Sequence, residues 1–150
     1  MKYLLLLLFF ANVEAQTLAV TYNYIFKDFE KKQIFSDERL FMKIIDVEDD
    51  LDLFKWEIHK DTLTILNQKC FRATTTFRGR DYEAFFTEEI PLADGPWKFN
   101  GLPGLILKIS LVNSDLVFTA EAVKLQIHNE STTLKNPYIG KEIMSFEKYK

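Results

Sequence analysis

The chain has 150 residues, 47% of them apolar and 15% aromatic, with a formal charge of −3. Fourteen Phe against five Gly allow a chain of this length to offset its ordering entropy by burial, which excludes a disordered polypeptide and fits one compact domain. The charge is modest and evenly scattered, with no basic face, and this argues against a nucleic-acid binder.

Lys2, the unbroken apolar run from Leu4 to Phe10 and the small residues of Val13-Glu14-Ala15 have the order of an export signal cut before Gln16. The run is shorter than the ~20 residues a membrane-crossing helix needs. Residues 1–15 therefore read as a signal peptide and residues 16–150 as a mature domain without a transmembrane span, exported and periplasmic or secreted. The alternative for the same residues is an N-terminal strand.

Thr17 to Phe26 (TLAVTYNYIF) alternates around Leu18, Val20, Tyr22, Tyr24 and Phe26, the period of a half-buried strand. Lys27 to Gln33 reads as a polar connection. Ser36-Asp37-Glu38 could cap a short helix over the following apolar residues, while Leu40 to Val47 fits a strand equally well. The acidic run Glu48 to Asp52 lacks the central Gly and alternating oxygen ligands of a calcium hand and reads as a solvated loop. Phe54, Trp56 and Ile58 alternate with Lys55, Glu57 and His59, which predicts a strand, a turn at Lys60-Asp61 and a return strand from Thr62 to Ile65. Lys69 to Arg78 places Phe71, Ala73, Thr75 and Phe77 on one face and Arg72, Thr74, Thr76 and Arg78 on the other. Gly79 reverses the chain into Asp81 to Thr87, and Pro91, having no N–H to donate, ends the ladder.

The densest feature is Gly95-Pro96-Trp97-Lys98-Phe99-Asn100-Gly101-Leu102-Pro103-Gly104-Leu105-Ile106-Leu107, which holds three of the five glycines and two of the four prolines. Gly95, Pro96, Gly101, Pro103 and Gly104 within so apolar a segment specify a defined backbone path, a rigid corner between strands rather than a tether. Beyond it, Leu105 to Val112 and Leu116 to Ile127 are joined by the turn-forming Asn113-Ser114-Asp115. Asn136-Pro137 breaks the polar tail, and Tyr138-Ile139 with Ile143-Met144 adds an edge strand or short helix. The predicted fold is mainly β, a single curved antiparallel sheet or half-barrel of about six to eight strands with at most one short helix.

Cys70-Phe71-Arg72-Ala73-Thr74, the run from Phe77 to Pro91 and the run from Gly95 to Leu107 together resemble the GLPGLI family of exported Bacteroidetes proteins, the likeness extending from about Trp56 to Phe118. The resemblance implies export through the inner membrane and a β-rich domain, with no assigned biochemical activity. The chain departs from the family in having Phe85 where Trp is usual and a shorter stretch ahead of the Cys segment.

Cys70 is the one cysteine, so no internal disulfide forms. With His59 or His128 it could supply the thiol and base of a cysteine hydrolase. Set within a strand and away from any helix N-terminus, it reads instead as a small buried hydrophobe. None of the spacings among these three is a metal-ligand spacing, and no metal or cofactor is expected. Lys69, Arg72, Arg78 and Arg80 gather at one hairpin end, where they either hold an anionic group or pair with Asp81, Glu83, Glu88 and Glu89. Arg78 and Arg80 are the first candidates for a polar site. Trp97, Phe99, Leu102, Leu105 and Leu107 either line a pocket for an apolar ligand or plug the core. The functional expectation is an exported, non-enzymatic envelope module that binds an envelope protein or an apolar ligand. The alternative is a hydrolase using Cys70 and a histidine.

Overall fold

The computed structural model describes residues 3–10, 25–40, 42–127 and 136–146. Its described strands are β1 (Tyr3–Phe10), β2 (Ile25–Asp28), β3 (Gln33–Leu40), β4 (Lys43–Asp50), β5 (Glu57–Ile65), β6 (Gln68–Phe77), β7 (Arg80–Thr87), β8 (Leu105–Leu111), β9 (Val117–Ile127) and β10 (Ile143–Ser145), with no α-helical element among them. The fold is mainly β, as expected. It holds two sheets rather than one, of order β1-β9-β8-β7-β6-β5 and β10-β4-β3-β2, and these fall into two compact units. Neither sheet closes into a barrel.

The second sheet forms because residues 25–50 find their partners in one another. β2 and β3 are joined across residues 29–32, with Lys32 at φ 56, and β3 pairs with β4 from Gln33↔Asp50 to Leu40↔Lys43. Ser36-Asp37-Glu38 thus lies in a strand, not at a helix cap, and Glu48 to Asp50 end β4 instead of forming a loop. Ile34 and Val47 are fully buried. β10 lies parallel to β4 through Met144↔Val47. Just before β10, Tyr138 is buried, stacks on Phe35 at 5.6 Å and donates to Asp37 Oδ1 at 2.9 Å. Most of the alternating run from Thr17 to Phe26 lies outside the described residues.

In the larger sheet, β5 replaces the predicted hairpin over residues 53–65. Lys60-Asp61 is not a turn: the register slips between Ile58↔Ala73 and Thr62↔Phe71, so these residues form a bulge within one strand. Arg72 clamps the bulge by bonding Asp61 at 2.8 Å and Glu83 at 3.3 Å, tying β5 to β7 across β6. The reversal comes later, at Leu66-Asn67 with φ of 50 and 61, and the next one at Arg78-Gly79 with φ of 51 and 74. Two residues of positive φ match the twist of adjacent strands, so each is a tight two-residue hairpin turn.

β7 and β8 are antiparallel neighbours, yet seventeen residues separate them. The connection, residues 88–104, is zipped to itself: Gly101 N–H donates to the Ala93 carbonyl at 3.3 Å and Ile106 N–H to that of Asp94 at 2.9 Å, beside an Asp94↔Asn100 bridge. Its Phe99 and Leu102 are buried with Ala73, Ala84, Phe86, Ile106 and Ile109, and Phe54, Trp56, Phe71, Tyr82 and Trp97 pack around them. Trp56 Nε1–H donates to the Asn100 carbonyl at 2.8 Å. A second cluster, Cys70, Phe85, Leu105 and Leu107, packs with Ile65, Ile90 and Leu92. The Gly/Pro stretch thus connects β7 to β8 and plugs the core between them.

Gly104 shows why the corner is sequence-specific: a Cβ there would sit 2.0 Å from the Thr87 carbonyl oxygen. Gly79, by contrast, needs only its positive φ, with nothing within 4 Å of a Cβ. Gly104→Ala is expected to lower unfolding stability by roughly 2–4 kcal/mol, against less than about 0.5 kcal/mol for Gly79→Asn, since Asn tolerates that conformation. Urea denaturation of both variants measures the contrast.

Burial raises the Tyr138 phenol pKa well above its usual range, and the bond to Asp37 and the charge of Asp46 add to the shift. The fold therefore favours the neutral phenol. That contribution is fully present below about pH 10, the unfolded value, and declines as pH rises toward the higher folded pKa. The chain should lose stability above about pH 10 more steeply than Tyr138→Phe, which should cost about 1 kcal/mol at neutral pH for the lost bond. Denaturant midpoints at neutral and alkaline pH measure both effects.

Candidate functional site

Among the described residues of the larger sheet, a cleft of ≈ 510 Å³ is lined by Lys55, Glu57, Thr74, Thr75, Thr76, Asp81, Tyr82 and Val112. Its walls come from the start of β5, the end of β6, the start of β7 and the turn after β8. β6 and β7 meet here because Gly79 brings Thr76 opposite Asp81 and Thr75 opposite Tyr82. Thr76 Oγ1 donates to Asp81 Oδ1 at 2.6 Å, Thr75 Oγ1 donates to the Lys55 carbonyl at 2.9 Å, and Thr74 Oγ1 lies 2.7 Å from His59 Nε2. The hydroxyl groups thereby fix the walls. Tyr82 meets Phe99 edge-on at 5.0 Å, so the core holds one side of its ring. The cleft combines an ammonium, two carboxylates, hydroxyls and one aromatic ring, a lining suited to binding a polar ligand in a defined orientation.

The sequence-derived candidates sit differently. Phe99, Leu102, Leu105 and Leu107 are 2% exposed or less and fill the interior, so they do not line a pocket for an apolar ligand. Phe99 and Leu102 belong to one buried cluster, Leu105 and Leu107 to the other. Trp97 is half-buried, at φ 50, and meets Phe77 and Phe99 edge-on at 6.1 and 5.3 Å. Lys98 is fully buried with its amine 5.7 Å from the Trp97 ring centre. Gly95 packs its Cα against Ile106, where a Cβ would approach to 2.8 Å.

The basic cluster is divided. Arg72 is held by Asp61 and Glu83, and Lys69 lies over Phe71 with its backbone N–H reaching Glu89. Arg78 stacks over Phe77 at 4.5 Å, and exposed Arg80 opens β7 opposite Phe77. Both flank the turn between Thr76 and Asp81 and so stand beside the cleft wall. Neither arginine is among the residues that line the cleft, and sequence reading named none of those as a site. It missed the cleft because threonines and a tyrosine in paired strands carry no distinguishing signal.

Cys70 is fully buried and its thiol donates to the Gln68 carbonyl at 3.5 Å. Burial raises its pKa, a backbone hydrogen bond from Ile65 opposes this, and the charge of Glu89 adds to the rise. The thiolate needed for nucleophilic attack is therefore disfavoured. His59 bonds Thr74, four residues along β6 from Cys70, which at the rise of a strand is about 13 Å. His59 and Cys70 form no catalytic pair, and His128 lies outside the described residues. Among the described residues no three His, Cys, Asp or Glu side chains are placed to hold a metal ion. No helix there is long and apolar enough to cross a membrane. Cys70 in the native protein should react with Ellman's reagent at least ~100-fold more slowly than in the urea-unfolded chain. Equal rates would contradict its placement.

Residues 78–108 match the model of a family described as a protein of unknown function (Porph_ging). Among curated proteins none matches this sequence. The fold is similar to that of PNGF-II in two crystal forms. In one, the TM-score is 0.58 at 19% identity over 85% of this chain, and in the other 0.57 at 18% over 84%. The chain spans 23% of the length of PNGF-II, and likeness at this identity concerns the fold alone.

Proposed function

We propose that the protein is an exported cell-envelope module of the GLPGLI family that binds a partner without catalysing a reaction, and that the cleft beside the β6–β7 turn is where it binds. The observation that carries this reading is a division of labour in the larger sheet. Phe99, Leu102, Leu105 and Leu107 of the Gly/Pro stretch are consumed by the core, the one thiol is sealed, and an open cleft bearing Lys55, Glu57, Asp81 and Tyr82 remains accessible. A ligand entering the cleft meets Lys55, Glu57 and Asp81 as charged groups and Tyr82 as a flat apolar surface. An envelope protein presenting a polar loop fits that lining, because its polar groups can pair with Lys55, Glu57 and Asp81 while Tyr82 and Val112 take an apolar contact.

The export expectation supports the same reading: Lys2, the following apolar run and Val13-Glu14-Ala15 have the composition of a removable leader. The match of residues 78–108 to a family of unknown function runs from the β6–β7 turn through β7 and the Gly/Pro connection into β8.

NMR titration of the isotopically labelled chain with panels of short polar peptides and oligosaccharides tests the site. Binding should shift the amides of Thr74–Thr76, Asp81 and Tyr82. Asp81→Ala and Tyr82→Ala should each weaken binding by roughly 10-fold, while Cys70→Ala leaves it unchanged. Shifts confined to other surfaces, or turnover of any probe that is lost with Cys70→Ala, would overturn the reading.

A further inference from the structure

β9 is longer than the strand that shelters it. Val117, Phe118 and Thr119 pair with β8 through Ser110, Ile109 and Lys108. From Ala120 to Ile127 the ladder partner among the described residues is β1, running from Phe9↔Ala120 to Tyr3↔Ile127. β1 is also the apolar run of the leader-like segment. One stretch of chain therefore has two incompatible employments: it completes the sheet, and it is the part an export peptidase would remove.

We propose that processing strips residues 120–127 of their ladder partner, and that a partner polypeptide then supplies the missing strand. This rests on the export reading above. Backbone N–H and C=O groups along a strand demand partners, and an extended segment laid beside such an edge satisfies them in alternation, giving affinity through the main chain. The chemistry of the incoming segment follows from the strand seated there now, YLLLLLFF, eight residues with no charge and no proline. β9 carries one bulge, at Glu121, where the register slips between Leu8↔Ala122 and Phe9↔Ala120, and β1 pairs on both sides of it, so an incoming strand can do the same. Apart from that bulge, residues 120–127 hold two charges, Glu121 and Lys124, and no proline, whereas protected edges add clustered lysines or prolines. A second copy of β9 would bring those two charges where β1 brings none, so the fitting occupant is an uncharged apolar strand from another protein. The site is separate from the polar cleft, whose lining contains no residue of β9.

Hydrogen exchange at the amides of residues 120–127 tests this, compared between the unprocessed chain and the chain recovered after export, whose N-terminus is read from its intact mass. The unprocessed chain should protect the alternate amides among these whose N–H points toward β1. The processed chain should exchange them at least ~100-fold faster. A synthetic peptide of residues 2–10 with added terminal lysines should restore protection, and the same peptide with Leu5→Pro and Leu7→Pro should not. Undiminished protection in the processed chain without peptide, or equal restoration by the proline peptide, would overturn the proposal. An exported chain that retains residues 1–15 overturns the export reading and this proposal with it, and its mass distinguishes that outcome from the other two.

Discussion

The architecture of the larger sheet depends on one close crossing of backbone, where Gly104 passes the Thr87 carbonyl with no space for a Cβ between them. Thr87 ends β7 and Leu105 opens β8, and the two are directly paired. Everything from residue 88 to 104 must therefore leave and return within the width of one ladder. The excursion is stabilised by its own hydrogen bonds and by what it covers. Phe99 and Leu102 descend onto Ala73, Ala84 and Phe86. Each such fully buried apolar side chain contributes about 1.5–3 kcal/mol relative to exposure. The small Ala73 and Ala84 on neighbouring strands leave the depth that Phe99 needs.

That packing decides what the molecule has left to work with. A sheet whose aromatic residues turned toward an open cavity would offer an apolar binding face. Here the connection fills that volume, and Trp56 adds an indole hydrogen bond to Asn100 that fastens the segment before β5 onto the plug. The accessible concavity moves to the sheet's end, where Thr74–Thr76 face Asp81 and Tyr82. Accessible surface thus lies beside the most distinctive residues and is built from ordinary ones.

The parts of this fold written in local chemistry were readable from sequence. Gly79 marks the β6–β7 turn, Asn113 at φ 61 marks the one before β9, and the Gly/Pro density marks the corner. What escaped was non-local. Lys60-Asp61 looks like a turn, and becomes a bulge only because Arg72 on β6 and Glu83 on β7 fix Asp61 in place. The true reversal holds Leu66 at φ 50, a conformation that leucine does not advertise. The second sheet, built from local pairing of residues 25–50, gains its edge only when β10 finds β4 across nearly one hundred residues, and no periodicity records such a pairing. The cleft escaped for the same reason, because its walls come from four separated segments.

The claim beneath all of this is that residues 88–104 belong to the core rather than lying over it. A double-mutant cycle between Phe54→Ala and Phe99→Ala measures that directly, since the two rings lie 4.9 Å apart and come from segments joined by nothing local. The account predicts that each single variant is destabilised by roughly 3 kcal/mol or more and that the pair couples by about 1 kcal/mol. Purely additive losses, or a Phe99→Ala variant as stable as the parent chain, would contradict it.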